Sequence, residues 1–190
     1  MGFLPNNYKP LGNPGGGYLK LTQGENNIRI LGTLDDKAKP VTGIMGLLGW
    51  TTTAGDDGKP KRVPTRLRPG DKIPEFDERA KEFWALTAYD IDEEFVGILE
   101  ITQKSIQTEL ISLAEDEAWG DLREFNICIT KSGESLETRY TVMPKPKTDV
   151  PERAKELLEC TPINIEALFD NGDPFALDGG SAGGEKEAPF

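Results

Sequence analysis

Apolar and polar residues alternate along several short runs of the chain, and a period of two predicts strands. Ile28, Ile30 and Leu34 alternate with Arg29 and Thr33, as in a half-buried strand. Val41 to Thr53 reads as a second strand, with Ile44, Leu48 and Trp50 on one face and Met45 and Leu47 on the other. Glycines at 43, 46 and 49 permit the bend or bulge that a small barrel needs. A third strand is predicted over 83–91 and a fourth over 95–101, joined by a turn at Asp92-Glu93-Glu94. The spacing then changes. Ile106, Leu110 and Leu113, flanked by Ile111 and Ala114, make the apolar stripe of a helix with Thr102 as its N-cap. Period two returns at Phe125, Ile127 and Ile129 and again at Tyr140 and Val142, across a turn at Ser132-Gly133. A last short helix is predicted over 151–159, with Pro151 in its first turn and Asp149 as cap.

This order predicts a mainly β fold with one or two helices. It fits a five-stranded OB-fold barrel with extended loops and disordered termini, whose helix lies between the third and fourth strands. A generic α+β sheet fits the same pattern. The chain has 190 residues, which at roughly 150 residues per domain is one domain plus appendages. The Gly12-Asn13-Pro14-Gly15-Gly16-Gly17 run makes 1–17 a flexible N-terminal arm, and 18–168 is the expected ordered body. From 169 to 190 the chain is rich in glycine and acid and poor in core-forming residues, the composition of a disordered acidic tail.

Lys and Arg number 22 against 33 Asp and Glu, a net charge of −11, and histidine is absent. Without histidine there is no Ser-His or Cys-His nucleophile pair and no imidazole-based zinc site. Two cysteines, Cys128 and Cys160, are too few for a disulfide framework and point to a reducing compartment. The N-terminus has no basic and apolar leader, and no apolar run is long enough to span a membrane. The expectation is a cytoplasmic protein with no membrane partner.

Taken whole, −11 argues against a nucleic-acid partner, but the charge is uneven. Between 59 and 72, Lys59, Lys61, Arg62, Arg66, Arg68 and Lys72 are opposed only by Asp71, a local +5, so the remainder carries −16. Pro60, Pro64, Pro69 and Gly70 make this stretch read as a long exposed loop. Cations there can neutralise phosphates and release counterions. Trp50 precedes the loop and Phe83 and Trp84 follow it. Rings beside a cationic groove stack the bases of single strands at ~1–3 kcal/mol each. In an alternating strand, only one of Phe83 and Trp84 faces outward.

The acidic set Asp90, Asp92, Glu93, Glu94 and Glu100 invites a metal-nuclease reading. Its place in a solvated hairpin turn speaks against that, so no catalytic residue, metal or cofactor is expected. An acidic interaction module, an inhibitor or DNA mimic acting on a host nucleic-acid enzyme, accounts for the net charge but leaves the +5 stretch without a role.

The chain ends Glu185-Lys186-Glu187-Ala188-Pro189-Phe190. An aromatic anchor and a terminal carboxylate on an acidic tether suit capture by a basic pocket. This ending resembles the tails of bacterial and phage single-stranded DNA-binding proteins. The body is similar to phage members of that group at Gly97-Ile98-Leu99-Glu100-Ile101-Thr102-Gln103-Lys104-Ser105-Ile106 and at Glu137-Thr138-Arg139-Tyr140. The resemblance implies an OB barrel that binds single-stranded DNA without sequence preference in the cytoplasm of a bacterial host. It implies a docking tip of Glu185, Glu187, Pro189 and Phe190 that recruits replication, recombination and repair proteins such as a polymerase, primase-helicase, recombinase or nuclease. Oligomeric state is left open, a homodimer included. Some phage relatives hold a Cys/His zinc site, which this composition does not supply.

Overall fold

The computed structural model describes residues 17–35 and 37–176. Eight strands follow in order: β1 (Tyr18–Leu19), β2 (Gly24–Ile30), β3 (Gly43–Ala54), β4 (Pro60–Leu67), β5 (Lys81–Asp90), β6 (Phe95–Ile101), β7 (Phe125–Ser132) and β8 (Arg139–Lys147). Helix α1 (Lys104–Glu115) separates β6 from β7 and α2 (Glu152–Cys160) follows β8. Short 3₁₀ turns cover Leu122–Glu124, Ser135–Glu137 and Ile165–Asp170. None of the described helices is long and apolar enough to cross a membrane.

The strands form one open, mixed sheet, ordered β1-β6-β5-β2-β7-β8, with β3 leaving this path to pair with β5 and β4. Strand β5 is its axis. One edge of β5 carries β6, from Trp84 opposite Ile101 to Asp90 opposite Phe95. The other edge is shared end to end: β3 pairs with Lys81 to Leu86, and β2 with Ala88 to Asp90. Between them, Leu31 and Gly32 donate to the Thr87 carbonyl, while Thr87 donates to Thr42. Beyond Leu48, β3 leaves β5 and pairs with β4 alone, so the β3–β4 hairpin projects from one end of the sheet.

Alternation along β5 sends Trp84, Leu86 and Ala88 to one face and Phe83, Ala85 and Tyr89 to the other. The first set packs with Ile28, Ile30 and Ile127 beneath Ile106 and Leu110 of α1. On the opposite face, Phe83 and Ala85 pack with Ile44 and Leu48 beneath Ile165 and Leu168, and Tyr89 with Val96 beneath Ala154 of α2. Each Leu, Ile, Val or Phe among them contributes about 1.5–3 kcal/mol of burial. The central strand is therefore roofed on both sides, which is why its sequence reads as a nearly continuous apolar run.

Several sequence expectations change. The stretch 59–72 is not one long loop: Pro60–Leu67 is strand β4. Its prolines are tolerated because β4 pairs only with β3, and an edge strand can spare N–H groups. Helix α1 is capped by position at Gln103, not Thr102, and without a side-chain cap bond. Burial of Ile106 and Leu110 fixes it instead, together with the Gln107 amide, which donates to the carbonyls of Glu82 and Ile101. Pro151 occupies the cap position of α2 rather than its first turn, and no side chain, Asp149 included, caps that helix. Packing also continues past 168: Phe175 meets Tyr18 edge to face at 5.7 Å, and the Asn164 N–H donates to Pro174. The arm 1–16 and the tail from Leu177 onward, with Glu185, Glu187, Pro189 and Phe190, lie outside the described residues.

Candidate nucleic-acid interface

Register decides which side chains of the hairpin share a face. Leu48 lies opposite Arg66, Trp50 opposite Pro64, and Thr52 opposite Arg62, so these six point the same way. Lys61, opposite Thr53, points the other way, and Lys59 belongs to the turn that closes the hairpin. On the shared face the Arg62 guanidinium lies over the Trp50 ring, 4.8 Å from its centroid. Arg66 sits 5.9 Å from the Phe83 ring, and Arg68, one residue past β4, sits 4.6 Å from Phe169. Three arginines thus meet three rings in sequence, each contact worth ~0.5–1 kcal/mol where exposed and ~2 where desolvated.

Each arginine also faces a carboxylate. Arg62 pairs with Glu78 at 2.7 Å, Arg66 with Glu100 at 2.7 Å, and Arg68 with Asp170 at 3.6 Å. Burial separates them. The Arg66 and Glu100 side chains are 13% and 22% exposed, whereas Arg62 and Arg68 are each 50% exposed and their partners more so. Exposed pairs are worth ~0–1 kcal/mol, so phosphate can replace their carboxylates at little cost. Arg66 is held inside the fold. Lys59 lies 3.9 Å from Asp57 on open surface, and Lys61 and Lys72 are exposed with no ion pair among the described residues.

The connection 68–80 is tied along the free edge of β3. Asp77 donates its N–H to the Trp50 carbonyl at 2.9 Å, and its carboxylate accepts from Thr52 Oγ1 at 2.7 Å. Phe76 lies against Gly49, where a Cβ would overlap the ring. This anchoring brings Glu78 to Arg62 and leaves Trp50 half-buried at the root of the hairpin.

No family model, curated protein or solved structure matches the chain. The site therefore stands on its own geometry. Of the rings expected beside the basic stretch, only Trp50 retains partial exposure. Phe83 is fully buried and Trp84 is 5% exposed, which corrects the expectation that one of them faces outward. Both faces of β5 are covered, so alternation sends each ring to a different core. Trp84 donates Nε1–H to Glu82 at 3.3 Å, and Glu82 is held below the usual carboxylate range chiefly by its hydrogen bond from Lys104.

Sequence reasoning missed Tyr18, which is 41% exposed at the β1 edge. Its hydroxyl is pushed up by burial, against the opposing charge of Arg66. Only an isolated aromatic beside the glycine arm marked it. Arg79 and Lys81 add two exposed cations just beyond 72. The acidic turn serves the fold: Asp90 accepts the N–H groups of Asp92 and Glu93, and Asp92 accepts from Asn27. Among the described residues no carboxylates gather as a metal site. What the interface can do is bind: exposed cations for phosphates, a half-buried indole for a base.

Proposed function

We propose that the protein binds single-stranded DNA without sequence preference, through the face of the β3–β4 hairpin. The observation that carries this reading is the Arg62–Trp50 stack on the projecting hairpin, whose strands, turn and following connection also carry the exposed cations Lys59, Lys61, Arg68 and Lys72. A phosphate displacing Glu78 from Arg62 keeps the guanidinium charged and paired, and by drawing it off the ring would open the indole face to a base.

Topology supports the same reading. Taken as an OB-type unit, β2, β5, β6, β7 and β8 are its five strands in chain order, and α1 falls between the third and the fourth. These five are successive hydrogen-bonded neighbours in the order β6-β5-β2-β7-β8. OB folds are partly open Greek-key barrels that bind oligonucleotides with the strand 2–3 face and the loop between strands 1 and 2. The β3–β4 hairpin occupies that connection. The acidic tail would recruit replication, recombination and repair proteins, as the resemblance implies.

The test is a fluorescence titration with oligo-dT at several salt concentrations. With Arg66 withdrawn into the fold, five exposed cations remain, and five neutralised phosphates give a log–log slope of about −3.5. Absence of binding at low salt would sink the proposal. Competition with DNA for a shared enzyme, without DNA binding, would favour the acidic interaction module instead.

A further inference from the structure

On the opposite half of the sheet, the fold buries a guanidinium that no carboxylate pairs with directly. Arg29 lies next to the last residue of β2, between Tyr89 of β5 and Asn126 of β7, and is 1% exposed. Its Nε donates to the Arg123 carbonyl at 2.9 Å, one terminal nitrogen to Asn126 Oδ1 at 2.9 Å, and the other to the Thr148 carbonyl. All three acceptors are neutral, and no carboxylate forms an ion pair with Arg29 among the described residues. A guanidinium has five N–H donors, so two remain unused. Burial draws the guanidinium below its ordinary range and Asp149, acting through space, offsets only part of that; a buried charge without a directly paired partner is costly to the fold.

Arg29 also lines an open cleft of about 620 Å³, together with Arg123, Lys147, Glu124, Thr148 and Asp149. Arg123 and Lys147 are held at the rim by Asp121 at 2.6 Å and Glu124 at 2.8 Å, in pairs with both side chains 40–54% exposed. The Lys147–Glu124 contact is of the weak, exchangeable kind, whereas Arg123 is oriented at the rim by a bidentate grip on Asp121. The cleft lining then holds three cations against the carboxylates of Glu124 and Asp149.

We propose that this cleft is a phosphate-binding site, with Arg29 at its base and Arg123 and Lys147 at its rim. The fork of a guanidinium matches two oxygens of a tetrahedral oxyanion. A phosphate there supplies the direct ion pair that Arg29 lacks and recruits the two rim cations. The group can be inorganic phosphate or the phosphate of a nucleotide; the chemistry is shared. The site is separate from the hairpin and does not depend on the single-strand reading.

Thermal unfolding of the full chain, titrated with sodium phosphate in a chloride buffer of constant ionic strength, tests it. Anything that binds only the native state raises Tm with the logarithm of its concentration above Kd. The expected result is a Tm that climbs with phosphate and not with chloride, shifted about tenfold to higher phosphate in Lys147→Gln and abolished in Arg29→Lys. Should Arg29→Lys fail to fold, Lys147→Gln still decides. Trp50→Ala should leave the phosphate response intact while weakening oligo-dT, which keeps the two proposals apart. A parallel titration with thymidine 5′-monophosphate assigns the source: tighter binding than inorganic phosphate means a nucleotide site, equal binding a free-phosphate site. An equal rise in chloride, or an unchanged phosphate response in Lys147→Gln, would overturn the assignment.

Discussion

Arg66 and Glu100 face each other at 2.7 Å across the root of the hairpin, and both side chains are largely covered. They join β4 to β6 through space, although no hydrogen-bonded ladder connects those strands. Arg66 therefore acts within the fold, while Arg62 and Arg68 on the same edge face solvent.

Removing one partner of this pair leaves the other charge partly buried and alone. Glu100→Gln should cost about 1–3 kcal/mol in urea denaturation. Glu78→Gln, which breaks the exposed pair with Arg62, should stay within about 0.5 kcal/mol. Equal costs would contradict the distinction between the two arginines.

Binding variants should sort by exposure. Trp50→Ala should weaken oligo-dT by about 1–3 kcal/mol if a base stacks on the ring. Lys61→Ala and Arg68→Ala should each flatten the salt slope by about 0.7. Phe83→Ala should instead lower stability by about 3–5 kcal/mol, since that ring fills a core. Equilibrium unfolding run beside each titration separates the two effects.

The fit of Phe76 against Gly49 can be probed as a pair. Gly49→Ala drives a methyl into the ring and should loosen the 68–80 connection from β3. Adding Phe76→Ala should recover part of the loss. A double-mutant cycle with no coupling would mean that the ring does not rest there.

Acid sensitivity follows from Asp121. Its hydrogen bonds from the Arg123 side chain hold its carboxyl below the usual range. The folded state thus binds that proton less readily than the unfolded chain. The contribution is fully present above the ordinary carboxylate value of about 4 and disappears as pH falls through the depressed one. In urea midpoints, wild type should exceed Asp121→Asn at pH 7 and converge with it under strongly acid conditions.

Much of the β framework was legible because half-buried strands carry a period of two. Ile28 and Ile30, Phe125 to Ile129, and the Asp92-Glu93-Glu94 turn appear where that period puts them. The basic stretch was misread because Pro60 and Pro64 look like breakers until the strand is known to be an edge. Phe83 and Trp84 misled for a different reason. Alternation says that adjacent side chains diverge, but not that Ile165 and Leu168, some eighty residues away, supply a second roof. The carboxylate partners of the arginines were equally hidden: Glu78 lies near Arg62 in sequence, but Glu100 and Asp170 reach their partners only through the fold.

From Phe83 to Tyr89 the central strand is buried, with packing on both sides. Apart from Lys81 at its exposed first position, the groups assigned to recognition are carried on other strands or on the chain between them. Repacking β5 and remodelling the hairpin become separable problems, so this scaffold can exchange one ligand preference for another without renegotiating its core.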